Sequence, residues 1–250
     1  MKQKDWKKVT NTIVQWLRER VKDASAKGLV VGLSGGVDSS VTSVLCKKAF
    51  SENTLGLIMP CFSNPRDVEH AMLLSDTFEI NIKKIELTPV LETFYTQLSG
   101  ETYSETYQSL AIANIKPRLR MISLYYFANK NNYLVCGTGN KSELCVGYFT
   151  KYGDGGVDLL PIGDLLKTEV RELAKYLGVP KVIIEKTPSA GLWTGQTDEH
   201  ELGITYDVLD RYLQIGEGSA EVKDTVERMI ANSAHKRNTP PVCKVSEFGI

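Results

Sequence analysis

The stretch GLSGGVDSS, residues 32–40, lies between two apolar runs, Leu29-Val30-Val31 and Val41 to Leu45. The first run has the length of a buried strand and the second starts a helical pattern, so the chain turns from strand to helix here. Gly35 and Gly36 let the backbone approach an anion and gather N–H groups into one concavity. Ser34 and Ser39 add hydroxyl donors. Asp38, in the same turn, repels phosphate unless a cation intervenes, and therefore points to Mg2+. The lysine of a GxxxxGK[ST] phosphate loop is missing.

Outward from this turn, strands alternate with helices. Trp6, Val9, Ile13, Trp16, Leu17 and Val21 predict an amphipathic helix over 5–23. Strands are expected at Leu29–Leu33, Thr54–Met59, Ile80–Leu87 (period two, one face exposed) and Tyr133–Cys136. A helix runs on through Lys48, and another covers Asp67–Phe78 with Asp67 as its N-cap. Asn114 or Pro117 opens a helix on which Leu119, Ile122 and Tyr126 share a face. Leu166, Val170, Leu173 and Leu177 stripe a helix closed by Gly178. Residues 101–108 read as loop or short helix and 187–199 as loop, with helices at Tyr206–Leu213 and Ala220–Ser233. The alternation predicts an α/β fold: a parallel sheet with helices on both faces, in one domain over residues 1–250.

Bulk composition narrows the function. Lys plus Arg and Asp plus Glu are each 30, so no global field recruits nucleic acid or an anionic membrane. The cysteines (46, 61, 136, 145 and 243) form neither a disulfide framework nor a CxxC pair. The start, MKQKDWKK, has no following apolar core, and no run approaches a membrane span. A cytoplasmic protein is expected.

Ser34-Gly35-Gly36-Val37-Asp38-Ser39 resembles the SGGxDS loop of the PP-loop ATP pyrophosphatases, which have an adenine nucleotide α-hydrolase-like, three-layer fold. These enzymes adenylate a carbonyl oxygen and release pyrophosphate, so attack falls on the α-phosphorus, consistent with a loop lacking the γ-phosphate lysine. Further segments narrow the likeness: Asn114 to Met121 (NIKPRLRM), Gly137 to Glu143 (GTGNKSE), Thr150 to Asp158 (TKYGDGGVD), the run from Pro188 to Trp193, Gln196 to Glu199, and His235-Lys236-Arg237. In this order they resemble the ammonia-dependent NAD synthetases over about residues 28–240.

That resemblance implies ATP-dependent amidation of deamido-NAD (nicotinic acid adenine dinucleotide) with ammonia, giving NAD, AMP and pyrophosphate through an adenylate. It implies an ATP site at Gly32, Leu33, Ser34, Gly35, Gly36, Val37, Asp38 and Ser39, with Thr138, Lys167 and Ser189. Mg2+ is expected on Asp38 and Glu143. Arg118, Lys151, Asp158, His235 and Lys236 correspond to deamido-NAD contacts, and Arg120, two residues from Arg118 and pointing elsewhere, is not carried over. Asp154 corresponds to the ammonia site, where a carboxylate attracts ammonium and accepts its proton. Lys167 stands in a first helical turn, where a cation opposes the helix dipole and so calls for an anionic partner. A homodimer is implied, with no glutaminase domain and no nucleic-acid or membrane partner. GTGNKS after a strand is an alternative dinucleotide GxGxxG turn, disfavoured by Ser142 where glycine is needed. Competing readings are another PP-loop enzyme, of the GMP synthetase or tRNA-modifying kind, and a non-catalytic nucleotide binder.

Overall fold

A computed structural model describes residues 4–106, 109–193 and 195–244. Strands β1 (Gly28–Gly32), β2 (Thr54–Ile58), β3 (Asn81–Lys84) and β4 (Tyr133–Cys136) pair in parallel in the order β3-β2-β1-β4. Val30 lies opposite Leu55 on one side and Val135 on the other. Parallel strands need crossovers, and helices supply them. After α1 (Trp6–Asp23), α2 (Val37–Ala49) links β1 to β2 and α3 (Pro65–Phe78) links β2 to β3. Helices α4 (Thr88–Ser99), α5 (Leu110–Ala113) and α6 (Ile115–Asn131) lead to β4. Beyond it come α7 (Lys141–Val146), α8 (Lys167–Leu177), α9 (Lys181–Ile184), α10 (Asp198–Leu202), α11 (Tyr206–Ile215), α12 (Ala220–Asn232) and α13 (Ala234–Arg237).

Alternation along β1 explains the layers. Leu29 and Val31 face a core built with Leu17 and Val21 of α1, Val44 and Leu45 of α2, and Val170 and Leu173 of α8. Val30 faces the opposite core, with Leu57, Leu91, Ala128 and Val135. Both faces are covered, which is why β1 reads as an unbroken apolar run. A third cluster joins Val146, Leu202, Tyr206, Leu209 and Val226. The chain moves one way from β1 to β2 and the other way from β1 to β4, so a crevice opens between the carboxyl ends of β1 and β4.

Three local expectations change. Only Asn81–Lys84 of the expected Ile80–Leu87 strand joins the ladder, and it is exposed throughout because β3 is the sheet edge, where lysines discourage further pairing. Helix α3 starts at Pro65, with Asn64 rather than Asp67 as its cap; the Asn64 side chain accepts from Arg66 N at 3.0 Å. On α6, Leu119 packs against the second core, whereas Ile122 and Tyr126 are 60% and 58% exposed. Of the segment 101–108, Tyr107 and Gln108 lie outside the described residues, as does Thr194 in the 187–199 loop.

Candidate active site

The turn after β1 is built around two glycines. Gly35 has a φ of +74°, and a Cβ there would stand 2.1 Å from the Asp67 carbonyl oxygen, so glycine is required by angle and by space. Gly36 is the N-cap of α2. Ser34 Oγ accepts from Gly36 N at 3.3 Å and lies 2.9 Å from Ser39 Oγ, which donates to the Gly36 carbonyl at 3.0 Å. Gly36 and Val37 line the crevice, so the positive end of α2 is presented to it.

The acid in this turn is balanced from a distant helix. Lys167, the first residue of α8 and 2% exposed, places Nζ 2.5 Å from Asp38 Oδ2 and 3.0 Å from Glu143 Oε1. The Tyr206 ring centroid is 4.9 Å from the same ammonium. Asn140 Nδ2 donates to the other Asp38 oxygen at 2.8 Å. Asn140 and Glu143 also form the capping box that starts α7: Asn140 Oδ1 accepts from Glu143 N (3.1 Å), and Glu143 Oε2 accepts from Asn140 N (3.3 Å). One local motif thus starts a helix and delivers a carboxylate.

Charge is tightly balanced here. Burial pushes the Glu143 carboxyl up to about 7, against the lowering pull of Lys167. Burial also pulls Lys167 down, but the Asp38 and Glu143 carboxylates outweigh it and hold its ammonium above the ordinary lysine range. Tyr206 OH lies 3.1 Å from Asp198 Oδ2 and 3.3 Å from Glu143 Oε1, closing the centre from behind. Asp210, 3% exposed on α11, accepts from Thr168 N at 2.8 Å and from Ser142 Oγ, which itself accepts from Lys167 N at 3.0 Å. Asp210 thereby fixes the starts of α7 and α8 relative to each other.

This centre forms one wall of a cavity of about 700 Å³. Thr138, Asp154, Ser189 and Lys236 line it as well. Asp154 Oδ1 accepts from Thr150 N at 2.9 Å, and desolvation by the surrounding protein raises its carboxyl above the ordinary range.

The sequence profile of the NAD synthase family matches residues 9–240. The chain belongs to this family. It is 56% identical over 238 residues to the NH(3)-dependent NAD(+) synthetase of Carboxydothermus hydrogenoformans, covering 95% of this chain and 98% of that protein. Among solved structures, the NMN synthetase of Francisella tularensis matches with a TM-score of 0.91 at 38% identity, over 97% of this chain and 100% of that one. The NH3-dependent NAD synthetase of Campylobacter jejuni matches with a TM-score of 0.78 at 33% identity, over 96% and 100%.

The residues matched to NAD synthetase motifs fall into two groups. The phosphate turn, Thr138, Glu143, Asp154, Lys167, Ser189 and Lys236 border one cavity, with Gly35 and Ser39 shaping the turn without lining it. Arg118, Lys151, Asp158 and His235 do not line it. Arg118 donates to the Lys151 carbonyl (3.4 Å), and Lys151 Nζ donates to the His235 carbonyl (2.5 Å) beside Lys236. Asp158 accepts from Tyr125 OH (2.9 Å) and Val135 N (2.8 Å), tying the glycine-rich loop to α6 and β4.

Sequence reasoning passed over Arg120, which lines the cavity and donates to the Met59 carbonyl at 3.1 Å. A signal was present: Arg120, Leu124 and Phe127 recur at helical spacing, with the latter two against the core. Lys186 carried no such signal, whereas Asp198 lies within the Gln196–Glu199 segment and Asp210 stands four residues after Tyr206 on the expected helix. Lys167→Met strands two carboxylates, so in metal-free buffer it should lower the unfolding free energy by about 3–5 kcal/mol in urea titration. Asp38→Asn should cost less, since Lys167 keeps Glu143; equal or negligible losses would contradict this balance.

Proposed function

We propose that this cleft joins ammonia to the carboxylate of deamido-NAD, driven by ATP, with the residues divided as follows. The chain is an ATP-dependent carbon–nitrogen ligase, as its family and full-length relatives are. One observation carries the division of roles: Lys167, Asp38 and Glu143 meet beside the SGGVDS turn in a cavity of nucleotide size.

A carboxylate is a poor acyl donor because its charge repels nucleophiles. Its oxygen attacks the α-phosphorus of ATP, the bond to the bridging oxygen breaks, and pyrophosphate departs with the electron pair. Ammonia then attacks the neutralised carbonyl, AMP leaves with the former carboxyl oxygen, and the nitrogen sheds a proton. The turn from Gly32 to Ser39 holds the phosphates through N–H and hydroxyl donors, and Lys167 offsets their charge. Thr138 and Ser189 hold the rest of ATP. Arg118, Lys151, Asp158, His235 and Lys236 hold the dinucleotide. Asp154 accepts the proton from ammonium; its raised pKa brings it closer to that task than an ordinary carboxylate.

The donor set suits Mg2+. Asp38 and Glu143 already share one cation, Lys167, and supply hard oxygen ligands beside the phosphate turn. Among the described residues no group of three or more His, Cys, Asp or Glu could hold a metal, so phosphate oxygens and water would complete its shell. When bound, the ion supplies neutralisation of phosphate charge.

We also read the chain as one domain that takes ammonia directly, and as half of a homodimer. Arg118, Ile122 and Tyr126 form one exposed ridge on α6, and Val90, Phe94 and Leu98 form another on α4. A second copy covering these ridges would bring its surface against Arg118. The buried free cysteines 46, 61 and 136 suit the reducing cytoplasm, and among the described residues no helix is long and apolar enough to cross a membrane. One observation favours a second acyl donor: the NMN synthetase likeness suggests that nicotinic acid mononucleotide also enters the cleft.

With ATP, Mg2+ and ammonia, deamido-NAD should release equal AMP and pyrophosphate, and xanthosine monophosphate none. A mononucleotide kcat/KM above that for deamido-NAD would reverse the order of the two donors. Asp154→Asn should reduce amide formation at least tenfold with ATP affinity unchanged; unaltered turnover would remove Asp154 from the mechanism. Sedimentation should give a dimer that Ile122→Glu converts to monomer, and a monomeric parent would refute the shared interface.

A further inference from the structure

Two lysine–aspartate pairs flank the phosphate turn, and only one of them has a place in the chemistry above. The first is Lys167 with Asp38. The second joins Lys186, at the start of the 187–199 loop, to Asp67 in the first turn of α3, with Nζ 2.6 Å from Oδ1. Asp67 is fixed against the turn, since its carbonyl oxygen occupies the space a Cβ on Gly35 would need. Both side chains line the cavity and are about one-quarter exposed, Lys186 at 25% and Asp67 at 23%.

The other cations lining the cavity are committed elsewhere. Lys167 is shared between two carboxylates, Arg120 donates to the Met59 carbonyl and Ser63, and Lys236 donates to the Gly147 and Phe149 carbonyls at 2.8 Å. A departing pyrophosphate carries about three to four negative charges, more than one Mg2+ ion would offset, and the nearby Lys167 is already shared between two carboxylates. Lys186 pairs with a single, partly solvated carboxylate, so its flexible ammonium can exchange that partner for a phosphate oxygen at low cost.

We propose that Lys186 binds the pyrophosphate end of ATP, turning from Asp67 to the terminal phosphates and staying with them as they leave. The inference rests on the reading of the SGGVDS turn as the ATP phosphate site. In the group-transfer step the acyl oxygen bonds to the α-phosphorus, the bond from that phosphorus to the bridging oxygen breaks, and pyrophosphate takes the electron pair. Lys186 meets the charge that builds on the leaving oxygens, whereas it has no role toward the adenosine half.

Calorimetric titration of the full chain with inorganic pyrophosphate, and separately with AMP, in Mg2+ buffer tests this. Lys186→Met should weaken pyrophosphate binding about tenfold or more and leave AMP affinity within twofold. Lys186→Arg should restore most of it. Asp67→Asn, which breaks the pair but keeps the cation, should bind pyrophosphate as well as the parent or better. Unchanged pyrophosphate binding by Lys186→Met would overturn the proposal. So would an equal loss in Asp67→Asn, because the pair would then act only as a strut for the loop. A parent that binds no pyrophosphate would instead overturn the phosphate-turn reading on which the inference stands.

Discussion

The ammonium of Lys167, held between Asp38 and Glu143, is the contact on which the reactive end of this molecule depends. Alone, a cation 2% exposed would be too costly to bury, and the two carboxylates would repel each other across the crevice. Together they form a compact charged centre with the Tyr206 ring on one side and Asn140 gripping the outer oxygen of Asp38. The contact joins the starts of α2, α7 and α8, three helices that share no local sequence. Asp210 reinforces it from α11 by holding Thr168 N and Ser142.

This arrangement explains why the glycine-rich turn can do without a lysine of its own. Its cation arrives from α8, 129 residues further along the chain, and approaches beside Asp38 rather than from within the turn. Ser34 N and Gly36 N bond to serine hydroxyls within the turn; on the proposed reading the N–H groups at the start of α2 meet the phosphate oxygens, while the positive charge sits at the acid that would otherwise repel them. Such a layout suits a reaction in which the β- and γ-phosphates leave together, because the charge to be met lies along the turn. Lys186 pairs on the other flank with Asp67, whose carbonyl oxygen lies against Gly35.

Much of this was legible locally. The apolar run before Gly32 is buried on both faces and therefore reads as a central strand, and GTGNKSE carries both the cap of α7 and the carboxylate Glu143. The first-turn placement of Lys167 pointed to an anionic partner, and the anions beside it in the fold are the chain's own carboxylates, Asp38 and Glu143. One exposed face of β3 was legible from its alternation, but the exposure of the other was not, because being at a sheet edge is a property of the assembled sheet and not of Asn81–Lys84. Proline at the first position of α3 marked its start better than Asp67 did. The pairing of Lys186 with Asp67 spans 119 residues, and no spacing rule reaches that far. Arg118 and Arg120 show the limit most plainly. Helical geometry separates the two, but only the packing of Leu124 and Phe127 says which one turns inward.

Oxygen transfer tests the central claim most directly. Deamido-NAD labelled with 18O in its carboxylate should pass one labelled oxygen to AMP in each turnover, with pyrophosphate unlabelled, because the carboxylate attacks the α-phosphorus. Label in inorganic phosphate together with ADP would mean attack at the γ-phosphorus, and the account of this cleft as an adenylating centre would be wrong.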